Sequence, residues 1–281
     1  MLDIIIDTIK DGLKLLPFLF VAFLIIEVLE HKFNEKNEKV LKKSGVFGPI
    51  IGGILGCFPQ CGFSVMATNL YVTRIISLGT LISIYLSTSD EMLPILLMRG
   101  SSLVEIFMLL GVKMLIGIIS GLLIDLFIRK KEDIKIKDLC EEDDCHCEES
   151  LLISSIKHTI HTLFFIMIIS YILNIIMYYG GEDFISTLLK NNSLIAPFIS
   201  SLIGLIPNCA SSVVLTELYL SGVLTISSVI SGLLTGSGAS ILVLFKSNKN
   251  IKENLKILSL VYFIGVIGGL LVELVLTLIH F

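Results

Sequence analysis

Two stretches of this sequence place a proline, an amide and a cysteine in the same order. They are Pro59-Gln60-Cys61 and Pro207-Asn208-Cys209, and the second follows the first by 148 residues. Proline has no backbone N–H and ends or kinks a helix, so unpaired backbone groups are left at the break. At membrane depth such backbone is tolerated only where it is buried in protein or lines a cavity. The pair therefore predicts two broken helices lining a polar site, where amide, hydroxyl and thiol groups could coordinate a dehydrated ion.

Hydroxyl and carboxylate side chains follow both breaks, and each copy has a second interruption at positions 87–91 or 235–238. Carboxylates inside a membrane are energetically expensive and functional by default, which makes Asp90, Glu91 and Glu217 the strongest candidates. Cysteine, serine and threonine in apolar helices more often pack against neighbouring helices or cap helix ends than bind a ligand. We predict that those near the breaks bind substrate because they recur in both stretches. We predict no catalytic residues and these substrate-binding residues: Pro59, Gln60, Cys61, Ser64, Thr68, Asn69, Ser89, Asp90, Glu91, Pro207, Asn208, Cys209, Ser212, Thr216, Glu217 and Ser237.

An acidic segment in the middle of the chain contains three cysteines and a histidine within eight residues. Thiolates and imidazole bind soft or borderline ions such as Zn²⁺ or Cu⁺. The spacing matches no standard zinc module, so a solvated acidic tether is the alternative. Two histidines one helical turn apart follow this segment, either as a cytoplasmic access path or as interfacial residues without a metal role. The predicted accessory metal ligands are Cys140, Cys145, His146 and Cys147, and the two histidines are His158 and His161.

The composition is that of an integral membrane protein. Of the 281 residues, 54% are hydrophobic and only 16% are charged, and the mean hydropathy is +0.91. Apolar runs such as 112–128 and 258–279 approach the roughly 20 residues that cross a bilayer. The six cysteines lack the regular spacing of a secreted disulfide scaffold, and we predict that they are thiols. A soluble globular protein is excluded, and no nucleic-acid partner is predicted.

The chain is an internal duplication. At the offset of 148 residues, Pro49 aligns with Pro197 and Gly56 with Gly204, beside the two cysteine stretches. Chance matches between apolar segments rarely include these residue types, so the period indicates a structural repeat. The apolar runs and breaks of each copy predict, in order, a full span, two short helices on either side of the break, an interrupted segment and a last full span. The predicted domains are a first transmembrane repeat at 1–128, a cytoplasmic acidic Cys/His-rich linker at 129–150 and a second repeat at 151–281.

Basic residues predict the orientation of the two copies. Lysines are concentrated in the loops at 32–43 and 246–256 and in the linker, and positively charged loops remain in the cytoplasm. All of them fall on one side if each copy crosses five times. We therefore predict an all-α integral membrane protein with about ten transmembrane segments, some of them short Pro-broken helical hairpins, in two inverted-topology repeats of five. The protein lies in the plasma membrane with both termini outside.

Inverted repeats with paired broken helices are typical of secondary transporters, whose site lies near the midplane. We predict alternating access in which one repeat rocks against the other, and a carboxylate that exchanges protons for the metal. Lys113 falls within a predicted span and is expected to pair with a carboxylate. No cofactor is predicted beyond the transported ion and a coupling proton. The predicted partners are a metal ion or metalloid and the lipid bilayer, and a homo-oligomer is compatible with the sequence.

The same stretches resemble a known family. The residues that carry the resemblance are Pro-Gln-Cys-Gly-Phe-Ser at 59–64, Thr-Asn-Leu-Tyr at 68–71, Ser-Thr-Ser-Asp-Glu-Met-Leu-Pro at 87–94, Pro-Asn-Cys-Ala-Ser-Ser at 207–212, Thr-Glu-Leu-Tyr at 216–219 and Thr-Gly-Ser-Gly-Ala-Ser at 235–240. They are similar to the ten-transmembrane heavy-metal exporter family, whose members are described as arsenic efflux proteins or manganese transporters. The resemblance covers nearly the whole chain. It implies ten spans, a metal-rich cytoplasmic linker and export of a metal or metalloid.

The ligand types leave more than one function open. Carboxylate and amide oxygens suit Mn²⁺ or another divalent transition metal, which we favour. Cys61 and Cys209 suit trivalent arsenic, so the alternative is an arsenic or metalloid efflux permease. An ion channel or a metal-sensing membrane protein is a further alternative. An enzyme is not predicted, because the thiol pair of Cys57 and Cys61 is not repeated at Leu205 and the sequence contains no His-Glu-x-x-His motif.

Overall fold

The computed structural model describes residues 47–58, 61–89, 92–128 and 195–279, and parts of 8–24 and 152–175. Every regular element in these residues is an α-helix, which confirms the all-α prediction. The Lys-rich loop after the first predicted span and the linker at 129–150 lie outside the described residues.

Ten helices in residues 47–128 and 195–279 form two series of five. Each helix of the second series begins 148 residues after its counterpart, as the duplication in the sequence predicts. Pro49 and Pro197 each lie in the first turn of the opening helix, where proline is tolerated. The helices are α1 Gly48–Gly56, α2 Cys61–Val72, α3 Leu78–Ser87, α4 Met92–Met98, α5 Leu103–Ile128, α6 Ala196–Gly204, α7 Cys209–Leu220, α8 Ile226–Thr235, α9 Ser240–Ser247 and α10 Ile251–Ile279.

Four segments of the described residues are long and apolar enough to cross a membrane. Two of them, Leu103–Phe127 and Ile251–Leu278, are mostly exposed on the surface of the chain, where Phe107 and Phe263 point outward. The other two are mostly buried and each contains an interruption: Leu78–Met98 comprises α3 and α4, and Ile226–Ser247 comprises α8 and α9. The unbroken helices therefore offer apolar side chains to lipid, and the broken ones lie inside the protein.

Within each series the helices pack through small residues. In the first series α3 packs against both α1 and α5, and in the second α8 packs against α6 and α10. A Cβ added at Gly79 or at Gly204 would lie well under 3.0 Å from a backbone oxygen of the neighbouring helix, Gly121 or Gly232 respectively. Such close backbone approach is how helices associate in lipid, where burial of apolar surface provides no driving force between them. It holds the interrupted helices α3 and α8 at the centre of their series.

An acidic residue of each last helix lies near the start of the central helix. Ser77 caps α3 and donates to Oδ2 of Asp125 at 2.6 Å, and the backbone N–H of Gly79 donates to Oδ1 at 2.9 Å. In the second series Glu273 accepts instead from the hydroxyl of Ser227, the repeat of Gly79, at 3.5 Å. Asp125 thus accepts from two donors at a helix N-terminus, which favours a negative charge.

We expect Asp125→Ala to lower the free energy of unfolding by about 2 kcal/mol, because the buried N–H of Gly79 and the partly buried hydroxyl of Ser77 lose their acceptor. Thermal unfolding of the protein in detergent measures the effect. Glu273→Ala is the matched control and should cost clearly less, since its one hydrogen bond is already at the limiting distance. Equal losses in the two variants would contradict the assignment of Asp125 as the N-terminal partner of α3.

Candidate functional site

In the first series, the break between α1 and α2 lies against the interruption between α3 and α4. The hydroxyl of Ser89 donates to the backbone carbonyl of Cys57 at 2.7 Å. The candidates that complete these two segments, Pro59, Gln60, Asp90 and Glu91, lie outside the described residues, as does the side chain of Cys61. This side-chain-to-backbone hydrogen bond places the two chain breaks of this series beside each other, as the hypothesis of a shared site requires.

The second series repeats this arrangement with different partners. The hydroxyl of Thr235, at the end of α8, donates to the carbonyl of Ser201 in α6 at 2.8 Å. The Pro207 stretch follows α6 directly, so both chain breaks of this series lie at the same end of the α6–α8 packing. Asn208 caps α7, because its Oδ1 accepts from the backbone N–H of Ala210 at 3.3 Å.

The two series meet at a buried contact between candidate residues. The hydroxyl of Ser64 in α2 donates to the carbonyl of Ser237 in the second interruption at 3.3 Å. Ser64 and Ser237 are both fully buried. The Ser237 carbonyl also accepts from the hydroxyl of Ser240 at 2.6 Å. The helix that follows the first break therefore contacts the interruption of the other repeat.

Contacts between the series are reciprocal. Helix α2 packs against α9, and its counterpart α7 packs against α4, the counterpart of α9. Tyr71 donates to Oε1 of Glu253 at 2.5 Å, while Tyr219 donates to Oε1 of Glu105 at 2.5 Å. Residue 219 is the repeat of 71, and 253 is the repeat of 105. A contact that recurs with the two copies exchanged is the pattern that a two-fold axis produces.

One of the two tyrosine–glutamate contacts carries an additional charge. Arg74 binds Glu253 with two hydrogen bonds of 2.6 and 2.8 Å, at a position where the second repeat has Gly222. Both residues have positive φ, 61° for Arg74 and 74° for Gly222, so the arginine is held in a conformation that favours glycine. Burial opposes the charge, but the hydrogen bonds with Glu253 raise the pKa of the Arg74 guanidinium above its ordinary value.

The repeated positions 69 and 217 have different environments. Glu217 forms an ion pair with Arg99, with two contacts of 2.8 and 3.1 Å, and its side chain is 39% exposed. Asn69 is 1% exposed, and neither atom of its amide has a hydrogen-bond partner. The hydroxyl of Ser237 is likewise buried without a partner. A buried polar group without a partner costs on the order of 1–3 kcal/mol, so both groups retain the capacity to bind a ligand.

Most of the other described candidates bond locally. Ser212 and Thr216 donate to carbonyls of their own helix, those of Cys209 and Ser212. Cys209 is a half-buried cysteine that packs against an apolar cluster containing Val65 and Ala239. Thr68 shares a 2.6 Å hydrogen bond with the hydroxyl of Tyr85. Of the described candidates, Ser64 and Ser237 meet at the junction of the two repeats, whereas the hydroxyls of Ser212 and Thr216 stabilise the backbone of their own helix.

Two fully buried polar residues of the first repeat were not predicted as site residues. Tyr85 is fully buried in α3, and its replacement by Leu233 in the second repeat was the available signal. Lys113 is 1% exposed, and its Nζ donates to the carbonyl of Thr88. It stands ten residues into α5, about 15 Å along the helix and therefore near the middle of a bilayer core about 30 Å thick.

The predicted accessory ligands are placed only in part. His158 is buried and stacks on Phe23 with ring centroids 5.5 Å apart, and His161 is exposed on the same helix. The linker cysteines and His146 lie outside the described residues. Among the residues that the structure describes, no group of three or more His, Cys, Asp or Glu side chains is positioned to hold a metal ion.

Comparison with known proteins identifies one family. A family model described as "Putative, 10TM heavy-metal exporter" matches residues 1–184 and 171–278, and so covers nearly the whole chain. No curated protein and no solved structure matches the chain.

Proposed function

Because the chain belongs to the ten-transmembrane heavy-metal exporter family, we propose that it is a secondary transporter that exports a divalent transition metal, with manganese favoured. The observation that carries this proposal is the buried junction of the two repeats. Ser64 of one copy bonds Ser237 in the interruption of the other, and the side chains of Asn69 and Ser237 are buried without partners. Irregular backbone and unpartnered polar groups at this depth are expected where a substrate path passes through the protein.

The transport cycle follows from the repeat. The two copies are inverted in the membrane, both termini lie outside and the linker lies in the cytoplasm, in keeping with the distribution of lysines. Rocking of one copy against the other exposes the junction to each side in turn. The reciprocal contacts of Tyr71 with Glu253 and of Tyr219 with Glu105 support this cycle. In an inverted arrangement, they lie toward opposite faces of the membrane and can open alternately.

Oxygen ligands favour a divalent metal as the cargo. Asn69 supplies an amide, and Asp90, Glu91 and Glu217 supply carboxylates that exchange protons for the metal. Glu217 reaches the cargo after its ion pair with Arg99 opens, a contact that is exposed and therefore weak. The linker with Cys140, Cys145, His146 and Cys147 delivers metal to the cytoplasmic side.

A second candidate function is metalloid efflux. It is favoured by Cys209, which lies half-buried at the second break, at the position that Cys61 occupies in the first. Trivalent arsenic binds thiols, whereas Mn²⁺ prefers oxygen ligands. Substitution of both Cys61 and Cys209 by serine therefore distinguishes a metalloid cargo from a manganese cargo.

The test is a sensitivity panel of divalent metals and arsenite, read together with intracellular metal content, in cells with and without the protein. Expression should lower intracellular manganese. The triple variant Asp90→Asn, Glu91→Gln, Glu217→Gln should abolish this effect at unchanged protein level, while Glu273→Gln, a carboxylate away from the junction, should retain it. Loss of arsenite resistance in the Cys61→Ser, Cys209→Ser variant would instead support metalloid efflux. Full metal export by the triple variant contradicts the proposed site, and non-saturating flux in proteoliposomes would indicate a channel.

A further inference from the structure

The last helix of each series begins beside the end of a short helix from the other series. Glu253, in the first turn of α10, accepts a hydrogen bond from Tyr71 near the end of α2. Glu105, in the first turn of α5, accepts one from Tyr219 near the end of α7. We call the first group, together with Arg74, the Tyr71 cluster and the second the Tyr219 cluster. The two clusters are equivalent with the copies exchanged, so a difference between them distinguishes the two sides of the junction.

The Tyr71 cluster contains a largely buried ion pair. Arg74 binds both carboxylate oxygens of Glu253, at 2.6 and 2.8 Å, and its Nη1 also donates to the hydroxyl of Tyr71 at 3.2 Å. The guanidinium lies 5.1 Å from the centre of the Tyr71 ring, and the amide of Asn248 donates to Glu253 at 3.3 Å. Bidentate arginine–carboxylate pairs are among the strong hydrogen-bonded contacts in proteins. Opening this cluster would therefore separate charges in a place where little water can replace their contacts.

The Tyr219 cluster has glycine at the position of Arg74. Gly222 follows Tyr219 by three residues, as Arg74 follows Tyr71. The segment before α5 does form an ion pair with α7, between Arg99 and Glu217, but this pair is largely exposed. Exposed pairs contribute little to stability, because water and salt screen them. The Tyr71 cluster is thus the more strongly stabilised of the two.

Local backbone and packing do not explain why only one repeat has the arginine. Arg74 has the same positive φ as Gly222, a conformation that an arginine adopts at an energetic cost. A Cβ added at Gly222 would meet no atom within 4 Å, so the second repeat also has room for a side chain. The two positions differ in the charge that they supply to the neighbouring glutamate.

We propose that Arg74 is a positioning residue for transport: it keeps the cytoplasmic side of the junction closed more firmly than the outer side, so that the empty protein opens mainly outward. The inference rests on the alternating access of the proposed function. The Tyr71 cluster is assigned to the cytoplasm because Glu253 lies in the Lys-rich loop at 246–256. The populations of two conformations follow the difference in their free energies, and Arg74 adds its contacts to only one of the two closed sides.

Modification of Cys209 by a small membrane-impermeant thiosulfonate, measured by mass spectrometry, tests the proposal on the full chain. Cys209 lies half-buried at the second break and reports the side to which the junction is open. The reagent is applied to intact cells and to inside-out vesicles. The wild type should react faster from outside. Arg74→Gly gives the first repeat the residue of the second and should raise the rate from the cytoplasmic side at least about tenfold, without raising the external rate.

Gly222→Arg is the reciprocal variant, because it gives the Tyr219 cluster the arginine of the Tyr71 cluster. It should slow the external reaction, while Gly222→Gln, an uncharged control with the same backbone strain, should slow it much less. In the double variant Arg74→Gly, Gly222→Arg, the faster reaction should come from the cytoplasmic side.

A purely structural role of Arg74 predicts that Arg74→Gly raises both rates alike, and that result overturns the proposal. A rise from outside alone also overturns it, because the Tyr71 cluster would then close the outer side. Equal rates from both sides in the wild type would contradict the alternating carrier together with this inference. Side-dependent modification that Arg74→Gly leaves unchanged would contradict the inference alone.

Discussion

Replacement of Gly204 by valine is expected to prevent the protein from folding. A Cβ at this position would lie well under 3.0 Å from the carbonyl oxygen of Gly232 and from the hydroxyl of Thr235. A backbone oxygen cannot rotate away as a long side chain can, so α6 and α8 must separate. Overpacking of a core typically costs about 1–3 kcal/mol, and a clash with backbone costs more. Size-exclusion chromatography of the detergent-extracted protein measures the folded fraction, and we expect little or no monodisperse protein.

Gly111→Val is the matched control for this substitution. Gly111 lies in the interior of α5, and a Cβ added there meets no atom within 4 Å. We expect this variant to be extracted in the same amount as the wild type. A normal yield of folded Gly204→Val would show that α6 and α8 do not approach as closely as the structure has them.

The second large effect is expected from reversal of the charge at Arg74. Arg74→Glu would place two carboxylates together at a site where the side chains of Arg74 and Glu253 are only 22% and 17% exposed. Breaking a pair of this kind costs about 3 kcal/mol or more, because the remaining charge is left without a partner. We expect a large loss of thermal stability in the single variant and substantial recovery in the double variant Arg74→Glu, Glu253→Arg. A double-mutant cycle on unfolding free energies isolates the interaction between the two side chains.

The ion pair of Arg99 with Glu217 provides the comparison. It has similar geometry, but its side chains are 62% and 39% exposed. Exposed pairs contribute less than about 1 kcal/mol, so Arg99→Glu should have a small effect on stability. If Arg74→Glu and Arg99→Glu lowered the free energy of unfolding by equally small amounts, burial of the Arg74 pair would not have the stabilising role assigned to it.

The two pairs also differ in what they are expected to do during transport. The Arg74 pair joins the turn after α2 to the start of α10 and stabilises one junction of the repeats. The Arg99 pair holds Glu217, a predicted cargo ligand, in an exposed position. A weak pair can open within a transport cycle at little cost, whereas the buried pair favours one arrangement of the two copies.

Much of the architecture could be predicted from local patterns in the sequence. Apolar composition and run length identify a helical membrane protein, because only structures that satisfy their own backbone can span lipid. The repeated Pro49 and Pro197, which lack an N–H, set the starts of α1 and α6. The breaks before Cys61 and Cys209 follow from the second proline of each copy. The offset of 148 residues even gives the start of each helix in the second series.

Only the tertiary structure decided which of the candidate groups are paired and which are buried without a partner. Asn69 and Glu217 occupy the same position of the repeat, but the amide is enclosed without partners and the carboxylate pairs with Arg99 at the surface. The contact of Lys113 with Thr88 and the loss of its counterpart at Val261 depend on how α5 and α10 pack against the interrupted helices. Sequence periodicity determines helices and breaks because these are local properties of the backbone. Which side chains meet depends on long-range packing between helices distant in the chain, and no local pattern encodes it.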